Sequence, residues 1–151
     1  GRSQIIYNKN KRIILIDYAH TKEAFENLLS NFPKEIDHKI IIFGCGGDRD
    51  KTKRAKMAKI ASKYTDIQII TDDNPRNEKP SDIRRTLIKN SSNPLEIPSR
   101  KKAIERGVRL LKINKGLLII AGKGHENSQI YKDKIFTFND RLVAKSYAKY
   151  L

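Results

Sequence analysis

Ile40-Ile41-Ile42-Phe43-Gly44-Cys45-Gly46-Gly47-Asp48-Arg49-Asp50 passes from four consecutive apolar residues straight into a glycine-rich loop that ends in charges of both signs. A short apolar run this rich in β-branched residues describes a strand covered on both faces, the condition of a parallel sheet. The signature recurs at Ile13-Ile14-Leu15-Ile16 and Leu117-Leu118-Ile119-Ile120, and nearly so at Ile67-Gln68-Ile69-Ile70. Between these runs the apolar residues take a helical period. Thr21 caps a stripe of Ala24, Phe25, Leu28 and Leu29 that ends by Pro33, and Thr52 to Tyr64 carries Met57, Ala58, Ile60, Ala61 and Tyr64. Pro80-Ser81-Asp82 opens a helix with Ile83, Leu87 and Ile88, and Ser99 caps one with Ala103, Ile104, Val108 and Leu111. Asn139 or Asp140 starts a last helix, with Leu142, Val143 and Tyr147 inward.

Strand and helix thus alternate, and the fold class is α/β: a doubly wound, mostly parallel sheet with helices on both faces. Residues 130–138, turning at Lys132-Asp133-Lys134, read as a hairpin added at the sheet edge. In such a sheet ligands sit beyond the carboxyl ends of the strands. The segments there are Asp17-Tyr18-Ala19-His20, Gly44 to Asp50, Asp72-Asp73-Asn74-Pro75-Arg76 and Gly122-Lys123-Gly124-His125-Glu126, four polar or glycine-rich loops on one rim.

At 151 residues and 38% hydrophobic, the chain suits one domain with its own core. No apolar window reaches the length of about 18 residues that a membrane span needs. The first residues carry no secretory signal, and a single cysteine fits a reducing cytoplasm. The excess of 32 Lys+Arg over 17 Asp+Glu, net +15, admits nucleic acid, nucleotides and phosphorylated substrates alike, but the basic residues are spread along the chain rather than clustered. With aromatics at 7% and no Trp, no stacking platform for bases is evident.

Several chemistries are excluded by spacing. Gly44-x-Gly46-Gly47-Asp48-Arg49 lacks the third glycine of a dinucleotide fingerprint, and Gly122-Lys123-Gly124 is not a phosphate-binding P-loop. His20, His38 and His125 have no metal-ligand spacing, so no metal site is expected. Cys45, between glycines and without a nearby base, reads as a buried small side chain.

Asp17-Tyr18-Ala19-His20-Thr21, Phe43-Gly44-Cys45-Gly46-Gly47-Asp48-Arg49-Asp50-Lys51 with Lys53-Arg54, Asp73-Asn74-Pro75-Arg76 and Ala121-Gly122-Lys123-Gly124-His125-Glu126, in this order, resemble the C-terminal, Rossmann-like domain of the Mur ligases, in particular their diaminopimelate-adding branch. The resemblance covers residues 1–151, with residues 1–4 as the remnant of a hinge from a central ATPase domain. It implies a part of an ATP-dependent carbon–nitrogen ligase that adds meso-diaminopimelate to UDP-N-acetylmuramoyl-L-Ala-D-Glu in the cytoplasm. The P-loop, Mg2+ sites and a modified lysine belong to the central domain, so ATP and Mg2+ are bound mainly outside this chain, which alone is expected to be inactive. By the same resemblance Arg49, Asp73, Asn74, Pro75, Arg76, Gly122 and Glu126 bind diaminopimelate, while Asp17 receives the ATP ribose hydroxyls, with Tyr18, His20 and Arg2 near the nucleotide. Arg76 would grip the distal carboxylate in two parallel hydrogen bonds. The ligase is expected to be a monomer without nucleic-acid or membrane partners. A lysine-adding or folylpolyglutamate-type relative, and a basic nucleic-acid-binding module, are the alternatives. Arg76 speaks against the lysine version.

Overall fold

A computed structural model of the chain describes residues 3–151. In chain order the elements are β1 (Gln4–Lys9), β2 (Arg12–Asp17), α1 (Lys22–Ser30), β3 (Lys39–Phe43), α2 (Thr52–Tyr64), β4 (Ile67–Ile70), α3 (Pro80–Lys89), β5 (Pro94–Glu96), α4 (Arg100–Ile113), β6 (Gly116–Ala121), β7 (Ser128–Tyr131), β8 (Lys134–Thr137) and α5 (Asp140–Ala148). The four apolar runs are the parallel strands β2, β3, β4 and β6, and every residue of β6 is buried.

Sheet order is β1-β2-β6-β3-β4-β5. From β2 to β5 the chain steps in one direction, leaving a strand's width between β2 and β3; it then returns through α4 to place β6 in that gap. Right-handed crossovers put helices of opposite travel on opposite faces of a sheet. Phe25, Leu29, Met57, Ala61, Ile83 and Leu87 of α1, α2 and α3 accordingly pack on Leu15, Ile41, Phe43, Ile70 and Ile119, whereas α4 and α5 cover Ile14, Ile42, Ile69, Leu118 and Ile120. Alternate residues of each apolar run thus serve two cores.

The caps are as the sequence implies: Thr21, Ser99 and Asn139 accept from the backbone N–H of Ala24, Lys102 and Leu142 at 3.1, 3.2 and 3.0 Å. With Asn139 as cap, Asp140 points inward to Arg100, and α5 buries Ala144 and Ala148 rather than Leu142, which is exposed.

The structure adds two strands, β1 and β5, and moves the hairpin. Gln4, read as part of a hinge, opens β1 and pairs with Ile16; β1 is an edge strand whose ends are exposed, so it lacks a continuous apolar run. It joins β2 through Asn10 and Lys11, both at positive φ (53° and 61°), the geometry of a two-residue hairpin turn. The second is β5, three residues starting at a proline, too short to announce itself. The hairpin, expected at the sheet edge over 130–138, spans 128–137 as β7 and β8 and forms its own two-stranded sheet. It leans on the loop after β4, where Arg76 bridges Tyr131. Polar backbone in that loop needs partners, and the hairpin supplies them.

At the carboxyl rim the Arg100 guanidinium meets both Asp140 oxygens at 2.7 and 2.8 Å, with neither side chain exposed. Removing one partner leaves a buried charge without compensation, at about 3–5 kcal/mol. Asp140→Ala is therefore expected to lower the thermal midpoint by on the order of 10 °C. Calorimetry checks this; a shift of a degree or two would mean that the pair is no more valuable than an exposed one.

Candidate functional site

The loops after β2, β3, β4 and β6 meet in a polar cleft of about 310 Å³. The first loop brings Tyr18 and His20 to it, the second Arg49 and Lys53 (the latter from the first turn of α2), the third Asp73, Asn74 and Arg76, and the fourth Gly122 and Glu126. Basic and acidic groups thus face one small space.

Backbone contact between loops fixes these positions. The Gly47 N–H donates to the Asn74 carbonyl at 2.8 Å, and a Cβ on Gly47 would come within 1.8 Å of the Pro75 carbonyl oxygen, so only glycine permits the approach. Pro75 is buried behind the cleft and does not line it. Gly122, at φ 113°, would set a Cβ 2.8 Å from Asp73 Oδ2. Arg76 sits at φ 53°, an uncommon conformation for a long side chain, and persists because β7 and its turn hold it from both sides. Its N–H donates to the Ile130 carbonyl at 3.0 Å, and its own carbonyl accepts from Lys132 at 2.7 Å. The guanidinium is braced by one bond from Nη1 to the Gly47 carbonyl at 3.0 Å, which leaves the rest of the fork for a ligand.

Arg49 is exposed at the mouth, where Nη1 donates to the Asp48 carbonyl at 2.9 Å. The His20 ring stands edge-on to Tyr18, centroids 4.6 Å apart, with Nδ1 2.9 Å from the Tyr18 carbonyl. A carbonyl only accepts, so Nδ1 carries the hydrogen in this contact. Asp17 is not in this cleft. It lines a neighbouring groove with Ala24, Asn27 and Asn31, and its carboxylate accepts from the Ala19 N–H at 2.7 Å and from the Ser3 hydroxyl. The structure therefore separates Asp17 from Tyr18 and His20, which were grouped with it. Arg2 lies outside the described residues.

A second tier escaped the sequence reading of site residues. Lys123, fully buried, donates from Nζ to Asn74 Oδ1 and to the Ser128 carbonyl. Arg54 clasps Glu78 at 2.7 and 3.1 Å and the Gly46 carbonyl at 2.9 Å. Asp72 accepts from Arg84 at 2.6 Å and from the Tyr131 hydroxyl at 2.8 Å, while Gln129 donates to the carbonyls of Asp72 and Asp73. All of these lie in or beside the four rim loops, but nothing local in the sequence distinguishes a buried ion pair from a solvated one. Cys45 is as read: buried, its Sγ 4.0 Å from Met57 Sδ, and burial pushes its thiol up to about 12, which removes it as a nucleophile near neutrality. Among the described residues no group of three or more acidic, imidazole or thiol side chains is placed to hold a metal ion.

Comparison with known proteins bears on the family and the fold. The family model described as "Mur ligase, glutamate ligase domain" matches residues 1–124. A UDP-N-acetylmuramoyl-L-alanyl-D-glutamate–2,6-diaminopimelate ligase of Rickettsia typhi is 47% identical over 152 residues, 97% of this chain and 30% of the relative. A solved structure of a ligase of that name superposes with a TM-score of 0.89 at 32% identity, over 99% of this chain and 31% of that one. A bifunctional folylpolyglutamate synthase/dihydrofolate synthase from Yersinia pestis shares the fold alone, with a TM-score of 0.59 at 14% identity over 97% of this chain and 30% of that one. The chain spans about 30% of the length of the curated relatives it matches.

Because Arg54 anchors the Gly46 loop through Glu78, the brace is sensitive to acid. Hydrogen bonds from Arg54 hold the Glu78 carboxyl down at about 2, from an ordinary 4.5, outweighing burial, which raises it. A carboxyl depressed in the folded state stabilises above its unfolded pKa, and that contribution is lost as pH falls toward the folded one. Urea midpoints are therefore expected to fall between pH 5 and pH 2, less steeply in Glu78→Gln. Parallel curves for the two proteins would remove Glu78 from the account.

Proposed function

The chain belongs to the Mur ligase family, and from that premise we propose that it is the C-terminal domain of an ATP-dependent ligase, where it binds meso-diaminopimelate and presents it to the D-glutamate carboxyl of UDP-N-acetylmuramoyl-L-Ala-D-Glu. The observation that carries the reading is the mixed charge of one cleft: Arg49, Lys53 and Arg76 with the Asn74 amide, against Asp73 and Glu126. Diaminopimelate has two carboxylates and two ammonium groups, and a cleft of about 310 Å³ suits a ligand of that size rather than a nucleic acid. Residues 1–151 form one functional unit in this reading, the remaining domains of a monomeric, cytoplasmic ligase lying outside the chain.

Within it, Arg76 takes the distal carboxylate on its free guanidinium edge, and the Asn74 amide and Arg49 take carboxylate oxygens further along. Glu126 and the Gly122 carbonyl hold the distal ammonium. The other amine is then held toward the activated carboxyl. Once γ-phosphoryl transfer has made an acyl phosphate, the amine lone pair attacks the carbonyl carbon, the C–O bond to phosphate breaks, and the nitrogen loses a proton. The domain's part is orientation, which in well-aligned reactions is worth up to about 7–11 kcal/mol. Mg2+, held in this reading by donors of the other domains, would supply charge neutralisation at the phosphates. Asp17, in its own groove, is assigned to the ATP ribose, with Tyr18 and His20 between nucleotide and amino acid and Arg2 toward the phosphates.

In the complete ligase carrying this chain, Arg76→Ala should lower kcat/KM for meso-diaminopimelate by roughly 10³-fold or more while lysine, already poor, changes little. Steady-state kinetics with both amino acids decide it: a variant that keeps its preference for diaminopimelate removes Arg76 as the selector. Asp17→Ala should raise KM for ATP more than KM for diaminopimelate. Equal loss of both would move Asp17 out of a nucleotide groove.

A further inference from the structure

We propose that Lys123 is a positioning residue for the amino-acid cleft: it locks the Asn74 side-chain amide so that the NH2 group, and not the oxygen, meets the ligand. The inference rests on the amino-acid-binding reading of the cleft above.

A carboxamide has two ends of opposite hydrogen-bonding sense, and rotating it by half a turn exchanges them. Asn74 is nearly buried, yet it lines the cleft, so the end it shows decides whether an acceptor or a donor is welcome there. Two groups that can only donate converge on its oxygen. Lys123 Nζ lies 2.9 Å from Asn74 Oδ1, and the Ile130 N–H donates to the same atom at 3.0 Å. Rotation would set the NH2 group against both, losing two hydrogen bonds and opposing donor to donor. Nδ2 is left with no partner among the described residues. A carboxylate oxygen is accepted at that position, and an ammonium is refused.

Lys123 is committed to this task. Its side chain has no exposure, and its remaining contacts are the Ser128 carbonyl at 2.8 Å and Asp73 Oδ1 at 3.3 Å, with Glu126 Oε1 at 3.8 Å. Two of the Nζ hydrogens are thus bonded, to Asn74 and Ser128, and the carboxylates of Asp73 and Glu126 balance the charge. One buried cation orients the donor for the ligand's carboxylate, and it keeps the two acidic residues facing the ligand's ammonium from repelling one another. Lys123 does not itself line the cleft, so its effect on the amino acid passes through Asn74, Asp73 and Glu126, which do.

The test is steady-state kinetics of the complete ligase with Lys123→Met, Asn74→Ala and the double variant. Lys123→Met should raise KM for diaminopimelate about 10–100-fold, by analogy with the loss of an outer-shell partner behind a metal ligand. KM for ATP and for the UDP-dipeptide should stay within about twofold, and kcat should fall less than KM rises. In the Asn74→Ala background the same substitution should add much less. A wild-type enzyme that does not use diaminopimelate overturns the reading of the cleft itself. A wild-type enzyme that uses it, joined to an unchanged KM, an equal rise in all three KM values, or full additivity with Asn74→Ala, overturns the role of Lys123 alone. If Lys123→Met does not fold, Asn74→Asp decides, since it keeps an oxygen for Lys123 but deletes the NH2 group. Diaminopimelate KM as poor as in Asn74→Ala supports the proposal, and a near-normal value overturns it.

Discussion

Arg100 and Asp140 meet where the sheet ends, and the rim above them depends on that meeting. The guanidinium stands at the start of α4 and the carboxylate at the start of α5, so the pair joins the two helices of one face. The same guanidinium donates to the Ala121 carbonyl at 3.0 Å and to the Asp72 carbonyl at 3.4 Å, the last residue of β6 and a residue just past β4. It therefore spans β3, and sets the spacing between the two loops that carry Asn74 and Glu126. Burial pulls the arginine's pKa down, but the charge and hydrogen bonds of Asp140 outweigh it, and the net shift is upward. The ion pair is costly to bury, and its return is geometric: one guanidinium ties together carbonyls at the ends of two strands, that of Ala121 and that of Asp72, which Gln129 also holds.

Above this base the rim is cross-braced loop to loop. Gly47 leans on Asn74 and Pro75, Arg76 on the hairpin, Asn74 on Lys123, and Arg54 on Glu78 beneath Gly46. A side chain held by a different loop from its own cannot drift without moving the others, which is how a site built on loops acquires the definition of one built on rigid elements. The unusual backbone of Arg76 belongs to the same scheme. The two hydrogen bonds from the hairpin offset the conformational cost, and the gain is a guanidinium turned back over the cleft.

Much of this was legible in the residues. Four apolar runs, three capping side chains and Pro80 placed the sheet and helices, because strand burial and cap chemistry are local properties. The polar loops after those strands gave the cleft, since a parallel sheet has one carboxyl rim. Tertiary placement was not legible. The alternation in 128–137 marks a hairpin but not the backbone it leans against, and β1 lacks the unbroken apolar run that betrayed the inner strands. Lys123 and Arg100 look in sequence like any other of the 32 basic residues, and only the fold shows that each is sealed among oxygens. Asp17 adjoins Tyr18 in sequence, yet the two line different clefts, a separation that adjacency in the chain does not reveal.

The position of β6 also bears on how the chain is made. This strand fills the gap between β2 and β3, yet it comes from residues 116–121, late in the chain, and pairs Arg12 with Gly116 and Lys39 with Leu117. As synthesis proceeds from the amino end, β2 and β3 emerge with bare inner edges that no neighbouring segment satisfies. Those edges are apolar and unpaired, the form in which nascent chains join one another. Pairing over such sequence separations belongs to the slow end of folding rates. The four-loop cleft is thus incomplete until β6 has been made and has paired with β2 and β3.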